Sequence, residues 1–181
     1  MNRGPAIVLI GFMGTGKSTV SKQLAMRTGL PRFDTDEMVI ARAGLGITEI
    51  FAQRGEDEFR ILETEALALI PEKAAIVVTG GGIVLRSENV RRLRQLGLVI
   101  NLSAGEETLF ARISRRDTRP LLRTEDPRSA ISELLRVRNP LYFAAADFTL
   151  DTSHLRHGEV ADAILARTEA LRAHVATDHN E

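Results

Sequence analysis

Gly11-Phe12-Met13-Gly14-Thr15-Gly16-Lys17-Ser18 is the stretch on which the fold turns. It follows the apolar run Ala6-Ile7-Val8-Leu9-Ile10 and leads into Thr19-Val20-Ser21-Lys22-Gln23-Leu24-Ala25. The run before it has the length and β-branched content of a buried strand. The segment after it spaces Val20 and Leu24 one helical turn apart. Between them lies G-x-x-x-x-G-K-S, the phosphate-binding P-loop pattern. Its glycines let the backbone wrap round a triphosphate, and the amides opening the next helix point at the anion with the helix dipole behind them. Lys17 then bridges the β- and γ-phosphates, and Ser18 offers its hydroxyl to Mg²⁺. A glycine-rich turn that merely ends in Lys-Ser is the plain alternative. Strand before and helix after favour a site for a nucleoside triphosphate.

The remaining composition bounds the class. The chain has 181 residues, enough for one domain with a substantial core and too few for two comfortable ones. Lys+Arg and Asp+Glu balance at 24 each, so the basic excess of a dedicated nucleic-acid binder is missing. There is no cysteine, which excludes disulfides and thiolate metal sites and suits a reducing cytosol. No stretch approaches the ~20 apolar residues of a membrane span. Met1-Asn2-Arg3-Gly4-Pro5 moves straight into the first strand and leaves no room for a signal peptide.

Strand-like runs recur at 6–10, 32–34, 75–79, 98–102 and 147–151, with helical patterns between them. Phe59, Leu62, Ala66 and Leu69 are expected on one helix face. Leu109, Phe110 and Ile113 are expected on another, with Leu134, Leu135 and Val137 less cleanly patterned. Val160, Ile164 and Leu171 mark a last helix. Alternation of apolar strands with helices predicts an α/β fold, a parallel sheet covered on both sides. Ligands of such sheets bind at the carboxyl ends of the strands, so the residues just after each strand matter most.

After the second strand come Asp34-Thr35-Asp36. On an extended segment both carboxylates project to one side, one towards Mg²⁺ through water and one towards an acceptor hydroxyl. A helix N-cap is the competing use of such an aspartate. After the third strand come Gly80-Gly81-Gly82, which allow a ligand close to the backbone or simply make a flexible turn. No acid ends that strand, so metal binding leans on Ser18, Asp34 and the phosphates. Arg60, beside the apolar-face residue Phe59, can meet a carboxylate ligand at two points or pair with Glu56 or Glu63. Arg112, Arg115, Arg116, Arg119 and Arg123 surround Pro120-Leu121-Leu122. The turn-rich segment Asp117–Pro127 reads as a loop and a lid carrying positive charge to the γ-phosphate, while Arg115, Arg116 and Arg128 read as a solvated basic face. Arg138, in Arg138-Asn139-Pro140-Leu141-Tyr142, is the last cationic candidate. His154, His157, His174 and His179 lack ligand spacing with a carboxylate and read as surface residues.

Together these motifs resemble shikimate kinase from Ile7 to about Leu171. They are GxMGxGKST at 11–19, FDTD at 33–36, FxxxGEDEFR at 51–60, TGGG at 79–82, RPLL at 119–122, and RNPLY with the following ADFTLDT at 138–152. The resemblance implies a three-layer, nucleoside-monophosphate-kinase-like P-loop fold with a five-stranded parallel sheet in the order 2-3-1-4-5. It implies ATP-dependent phosphorylation of shikimate at its 3-hydroxyl, in the route to chorismate and the aromatic amino acids. Carried over, Gly14, Thr15, Gly16, Lys17, Ser18 and Thr19 hold the phosphates. Ser18 binds Mg²⁺, with Asp34 a second partner through water. Asp36 binds the ring hydroxyls, first orienting and then accepting a proton. Arg60 and Arg138 clamp the carboxylate, and Gly81, flanked by Gly80 and Gly82, offers backbone to the ring. Arg119 is the lid arginine, and Arg112 lies against adenine. The match from Thr152 to Arg156 is looser, so the contact to the base falls to Ser153, His154 or Arg156 without a choice among them.

The expected organisation is one domain over 1–172 with a lid about 112–125 and a polar tail at 173–181. The expected partners are shikimate and ATP, with no nucleic acid or membrane, for a cytoplasmic monomer. Two rival readings have distinct signatures. A kinase of the same fold for another polyol acid, such as gluconate, would alter the set Asp36, Arg60, Gly81 and Arg138, which stands intact. A sensory domain that keeps the fold for binding alone would carry a damaged P-loop, whereas Lys17 and Ser18 are present.

Overall fold

A computed structural model describes residues 3–114 and 126–178, the last seven by backbone alone. Five parallel strands form one sheet: β1 (Ala6–Ile10), β2 (Arg32–Asp34), β3 (Ile76–Val78), β4 (Gly97–Ser103) and β5 (Phe148–Asp151). Their order is β2-β3-β1-β4-β5. The central strand pairs Val8 with Val77 on one side and with Val99 on the other.

Side chains alternate across a strand, and β1 shows what that does here. Ala6, Val8 and Ile10 enter one apolar cluster and Ile7 and Leu9 the opposite one. On the first face lie Leu93 and Leu96 of α4 (Ser87–Leu96), Leu109 and Ile113 of α5 (Glu106–Ile113), and Ile131 and Leu135 of α6 (Pro127–Ala145). On the second lie Val20 and Leu24 of α1 (Lys17–Thr28) with Val160 and Ile164 of α7 (His157–Asp178). The sheet is buried on both faces, which is why its strands read as unbroken apolar runs. A smaller cluster joins Val39 of α2 (Thr35–Ala43) to Ile50, Phe59 and Leu62 of α3 (Ile47–Ala68). It supports the flank beyond the edge strand β2. Helix α3 is broken at Gly55, whose φ of 80° and ψ of 174° are not helical.

Three side chains depart from the periodicity. Helix α3 stops at Ala68, so Leu69 becomes its cap and is 63% exposed, while Leu67 and Ile70 turn inward instead. Val137 is exposed because it lies two positions past Leu135, off the stripe continued by Arg138 and Tyr142. Leu171 is exposed beyond Thr168, the last buried residue on α7 among the described side chains. Two boundaries also move. Helical backbone continues to Asp178, through most of the segment read as a tail. Arg112 and Ile113, the first residues of the expected lid, belong to α5. Residues 115–125, with Arg119 among them, lie outside the described residues.

Candidate active site

The P-loop bends through three glycines of positive φ, Gly11 at 134°, Gly14 at 84° and Gly16 at 94°. An added Cβ there would be strained whatever the space around it. Gly16 also serves as the cap of α1, so that helix opens beside the cleft with the amides of Lys17 and Ser18, while that of Thr19 donates to the Gly16 carbonyl at 3.0 Å. The Thr15 hydroxyl donates to the Phe12 carbonyl at 2.8 Å and locks the turn. The Lys17 ammonium, largely buried, donates to the carbonyls of Gly11 (2.7 Å) and Phe12 (2.9 Å). Its charge is therefore stored against its own loop at the floor of the cleft. Ser18 and Thr19 are exposed and line the same cleft.

Arg112 joins the two walls of this cleft. Its guanidinium donates to the carbonyls of Gly14 (3.3 Å) and Thr152 (2.7 Å) and to the Thr152 hydroxyl (3.2 Å). The buried Thr152 hydroxyl sits between the carbonyls of Thr15 (3.1 Å) and Ser103 (3.0 Å). The loop after β5 is thus tied to the phosphate cradle. None of the three residues left open for the adenine side lines the cleft. Ser153 accepts from the Gly105 amide, Arg156 pairs with Glu159, and His154 is exposed. The residue that does line it is His157, whose ring lies 3.1 Å from the place a Cβ on Gly16 would take. It is exposed, as its surface reading expected, and it borders the cleft as well. Nothing in its sequence neighbourhood marked it, because its contact with Gly16 arises only when α7 packs beside α1.

Asp34 ends β2 and caps α2. One of its oxygens accepts from the amides of Asp36 (3.0 Å) and Glu37 (3.4 Å), and the other from Arg32 at 2.9 Å. The capping use is therefore real, and Asp34 lines neither of the two cavities. Asp36, two residues on, lines both of them, as do Met13 and Gly81. The cleft over the P-loop and the second cavity therefore share a wall.

That second cavity carries the charged set. Arg60 is 7% exposed, donates to Glu56 (2.8 Å) and Glu63 (2.9 Å), and lies 5.1 Å from the Phe59 ring centroid. Burial alone would lower its pKa, but the charges and hydrogen bonds of Glu63 and Glu56 outweigh it and hold the guanidinium above its ordinary range. Both pairings foreseen for Arg60 are present, and it still faces the cavity. Arg138, 4% exposed, reaches the Gly81 carbonyl at 3.5 Å, and the Tyr142 hydroxyl donates to the same carbonyl. Burial pushes the Tyr142 hydroxyl up to about 12, partly offset by Arg138. Glu63, foreseen only as a partner of Arg60, is fully buried behind it. Burial pushes its carboxyl up to about 7 against the lowering pull of Arg60.

The three glycines after β3 serve space more than flexibility, since none of them has a positive φ. A Cβ on Gly80 would lie 2.5 Å from a Glu63 oxygen and 2.6 Å from an Asp36 oxygen. One on Gly82 would lie 2.1 Å from Arg60 Nη1. Gly82→Ala is accordingly expected to displace the guanidinium. The acceptor KM rises roughly tenfold or more while the nucleotide KM changes little, as loss of one charge-assisted contact requires. Steady-state kinetics with each substrate varied in turn checks this, and an unaltered acceptor KM would refute it.

A phosphate cradle sharing a wall with a cavity that presents two buried arginines narrows the kinship, and comparison with known proteins decides it. The sequence pattern of the shikimate kinase family matches residues 13–169. The chain belongs to the shikimate kinase family. It is 46% identical to the shikimate kinase of Thermodesulfovibrio yellowstonii over 166 residues, 91% of this chain and 95% of that one. Identity to the shikimate kinase of Moorella thermoacetica is also 46%, over 92% of this chain and 94% of the other. Among solved structures, shikimate kinase from Acinetobacter baumannii in complex with shikimate superposes with a TM-score of 0.88 at 36% identity, covering 92% and 93% of the two chains. A gluconokinase from Sinorhizobium meliloti reaches a TM-score of 0.63 at 18% identity and shares the fold alone. Family membership and sheet order thus agree with the expectations drawn from the motifs. Of the residues implied by the shikimate kinase resemblance, the fold brings Asp36, Arg60, Gly80, Gly81, Gly82 and Arg138 to one cavity and Lys17, Ser18, Thr19 and Arg112 to the other.

Proposed function

We infer that this chain transfers the γ-phosphoryl group of ATP to the 3-hydroxyl of shikimate, giving shikimate 3-phosphate and ADP for aromatic amino acid synthesis. One observation carries the reading: Asp36 stands in the wall common to the P-loop cleft and the arginine-lined cavity. A small carboxylate with vicinal hydroxyls fits the second cavity end to end. Arg60 and Arg138 take the carboxylate by charge-assisted hydrogen bonds, the 80–82 backbone lies along the ring, and Asp36 takes the hydroxyls.

The chemistry then follows from placement. Lys17 leaves the carbonyls of Gly11 and Phe12 for the phosphate oxygens, where the α1 amides already point. Asp36 orients the attacking hydroxyl first and takes its proton late, since a loose phosphoryl-transfer transition state needs little early deprotonation. Arg112 holds the base-side loop against the cradle and presents its guanidinium to adenine. Arg119 is proposed as the lid arginine that neutralises charge on closure. Among the described residues no group of three or more metal-ligating side chains exists, which suits a cation held mainly by phosphate oxygens. Ser18 would hold that Mg²⁺, and the ion would neutralise charge on the phosphates. Asp34, expected as a second partner through water, is instead engaged by Arg32 and the α2 amides and lines neither cavity. A single domain with one continuous sheet is read as a monomer, and the lack of cysteine fits a reducing cytosol.

A coupled ADP-release assay offering shikimate, gluconate and quinate in parallel tests the assignment. Turnover with shikimate far above the other two is the expected result. Equal or greater turnover with gluconate would move the chain to the polyol-kinase reading. ATP binding with no turnover on any of the three would favour the sensory one.

A further inference from the structure

We propose that Glu63 takes up a proton when the acceptor's carboxylate binds beside Arg60 and Arg138, so that acceptor affinity is coupled to pH. The proposal rests on the shikimate reading above and adds a proton to its binding step. Glu63 sits on α3 one turn after Arg60 and has no exposed surface. Its Oε2 accepts from Arg60 at 2.9 Å, while its buried Oε1 has no hydrogen-bond partner. That oxygen and Asp36 Oδ1 lie within 2.6 Å of one and the same point above Gly80.

The charges facing Glu63 come from every side. Arg60 and, beyond it, Glu56 belong to its own helix; Asp36 comes from α2, and Arg138 and Tyr142 come from α6. Before the acceptor enters, two buried arginines face two carboxylates, with Glu56 half in solvent. The acceptor adds a further carboxylate and draws on the same guanidinium groups. Left alone, the cavity would then hold more negative than positive charge in a setting that water cannot screen. The least expensive correction is protonation of the carboxyl already nearest to neutral. Burial has brought Glu63 to about 7, and a further anion beside it raises it again. Its Oε1 is the open position for that proton, and a proton there faces the Asp36 carboxylate. A neutral Glu63 also removes one negative charge from beside Asp36, the residue proposed to receive the hydroxyl proton. The proton comes from solvent on binding and returns there on release, so Glu63 is a positioning residue and not a catalytic one.

The sign is fixed by linkage. Below about 7 Glu63 is already protonated and binding takes up little; above it, binding draws a proton in and weakens as pH rises. Titration calorimetry of shikimate into the full chain, in buffers of different ionisation enthalpy, measures this directly. At pH 8 the observed enthalpy is expected to vary with the buffer in the sense of proton uptake. Between pH 7 and 9 the Kd for shikimate should rise by up to tenfold per pH unit, the limit set by one proton. In Glu63→Gln both the buffer dependence and the slope should vanish while the KM for ATP keeps its own pH profile. Infrared difference spectra of the unsubstituted protein supply a readout independent of any variant, since a neutral buried carboxyl band should grow on adding shikimate at pH 8. Buffer-independent enthalpy, or a slope that survives in Glu63→Gln, overturns the proposal and leaves the kinase assignment standing. Failure of the unsubstituted chain to bind shikimate at any pH overturns both.

Discussion

Lys17→Met is expected to abolish turnover, by roughly 10³-fold or more in kcat, while the fold survives. The size follows from what the ammonium does when the charge on the transferring group moves. Arg112 also lines the cleft but is tied to Thr152 and Gly14, whereas Lys17 is held by the loop itself, and a preorganised charge there costs no reorganisation at the moment of transfer. The fold survives because methionine matches the lysine stem and the site is largely buried. What is lost are two hydrogen bonds to the Gly11 and Phe12 carbonyls, about 1–3 kcal/mol if those carbonyls go unsatisfied. The Thr15 bond to Phe12 remains. Single-turnover kinetics together with a thermal melt separates the two effects. Near-normal turnover in a folded variant would remove the P-loop assignment.

Arg138→Ala is expected to raise the KM for shikimate roughly 10–100-fold and to leave the KM for ATP nearly unchanged. Arg138 is buried and faces the acceptor cavity, with a long hydrogen bond to the Gly81 carbonyl (3.5 Å), a polar contact with the Tyr142 hydroxyl and, among the described residues, no salt bridge to a carboxylate. It is therefore poised for a ligand more than engaged in the fold. Arg60→Ala should raise the same KM, but it makes a less clean experiment. Arg60 also balances Glu63 and Glu56, so its removal disturbs stability as well as binding. Kinetics with each substrate varied, read beside thermal melts of both variants, tells them apart. Equal loss towards both substrates with a lowered melt would indicate a misfolded chain, whereas an unchanged KM for shikimate in a folded Arg138→Ala would sink the carboxylate-clamp assignment.

Most of this site was legible because its parts are local. The loop from Gly11 to Ser18 declares itself by spacing, and the five apolar runs give a sheet whose carboxyl ends point to Asp36 and the 80–82 glycines. What stayed hidden depends on distant segments meeting. Glu63 was legible only as a salt-bridge partner for Arg60, and the approach of Arg138 from α6 and Asp36 from α2 makes it an interior group. The glycine triplet was visible but its reason was not, since the atoms that would collide with a Cβ belong to residues 36, 60 and 63. Asp34 suggested a metal partner, and Arg32, two residues before it, turns out to share its carboxylate with the cap of α2. Periodicity failed at Leu69, Val137 and Leu171 for simple reasons of helix ending and phase.

The glycine at position 55 divides α3 into two tools. Ahead of it, Ile47 and Phe51 form an apolar cover on the acceptor cavity; behind it, Phe59, Arg60 and Glu63 do the gripping. Its backbone angles are ones that other residues rarely adopt, although no atom lies within 4 Å of where a side chain would begin. The joint is thus held by torsional preference and not by crowding. A lineage can re-aim the cover over a differently shaped guest by resetting that single torsion, and the salt-bridged grip need not be redesigned.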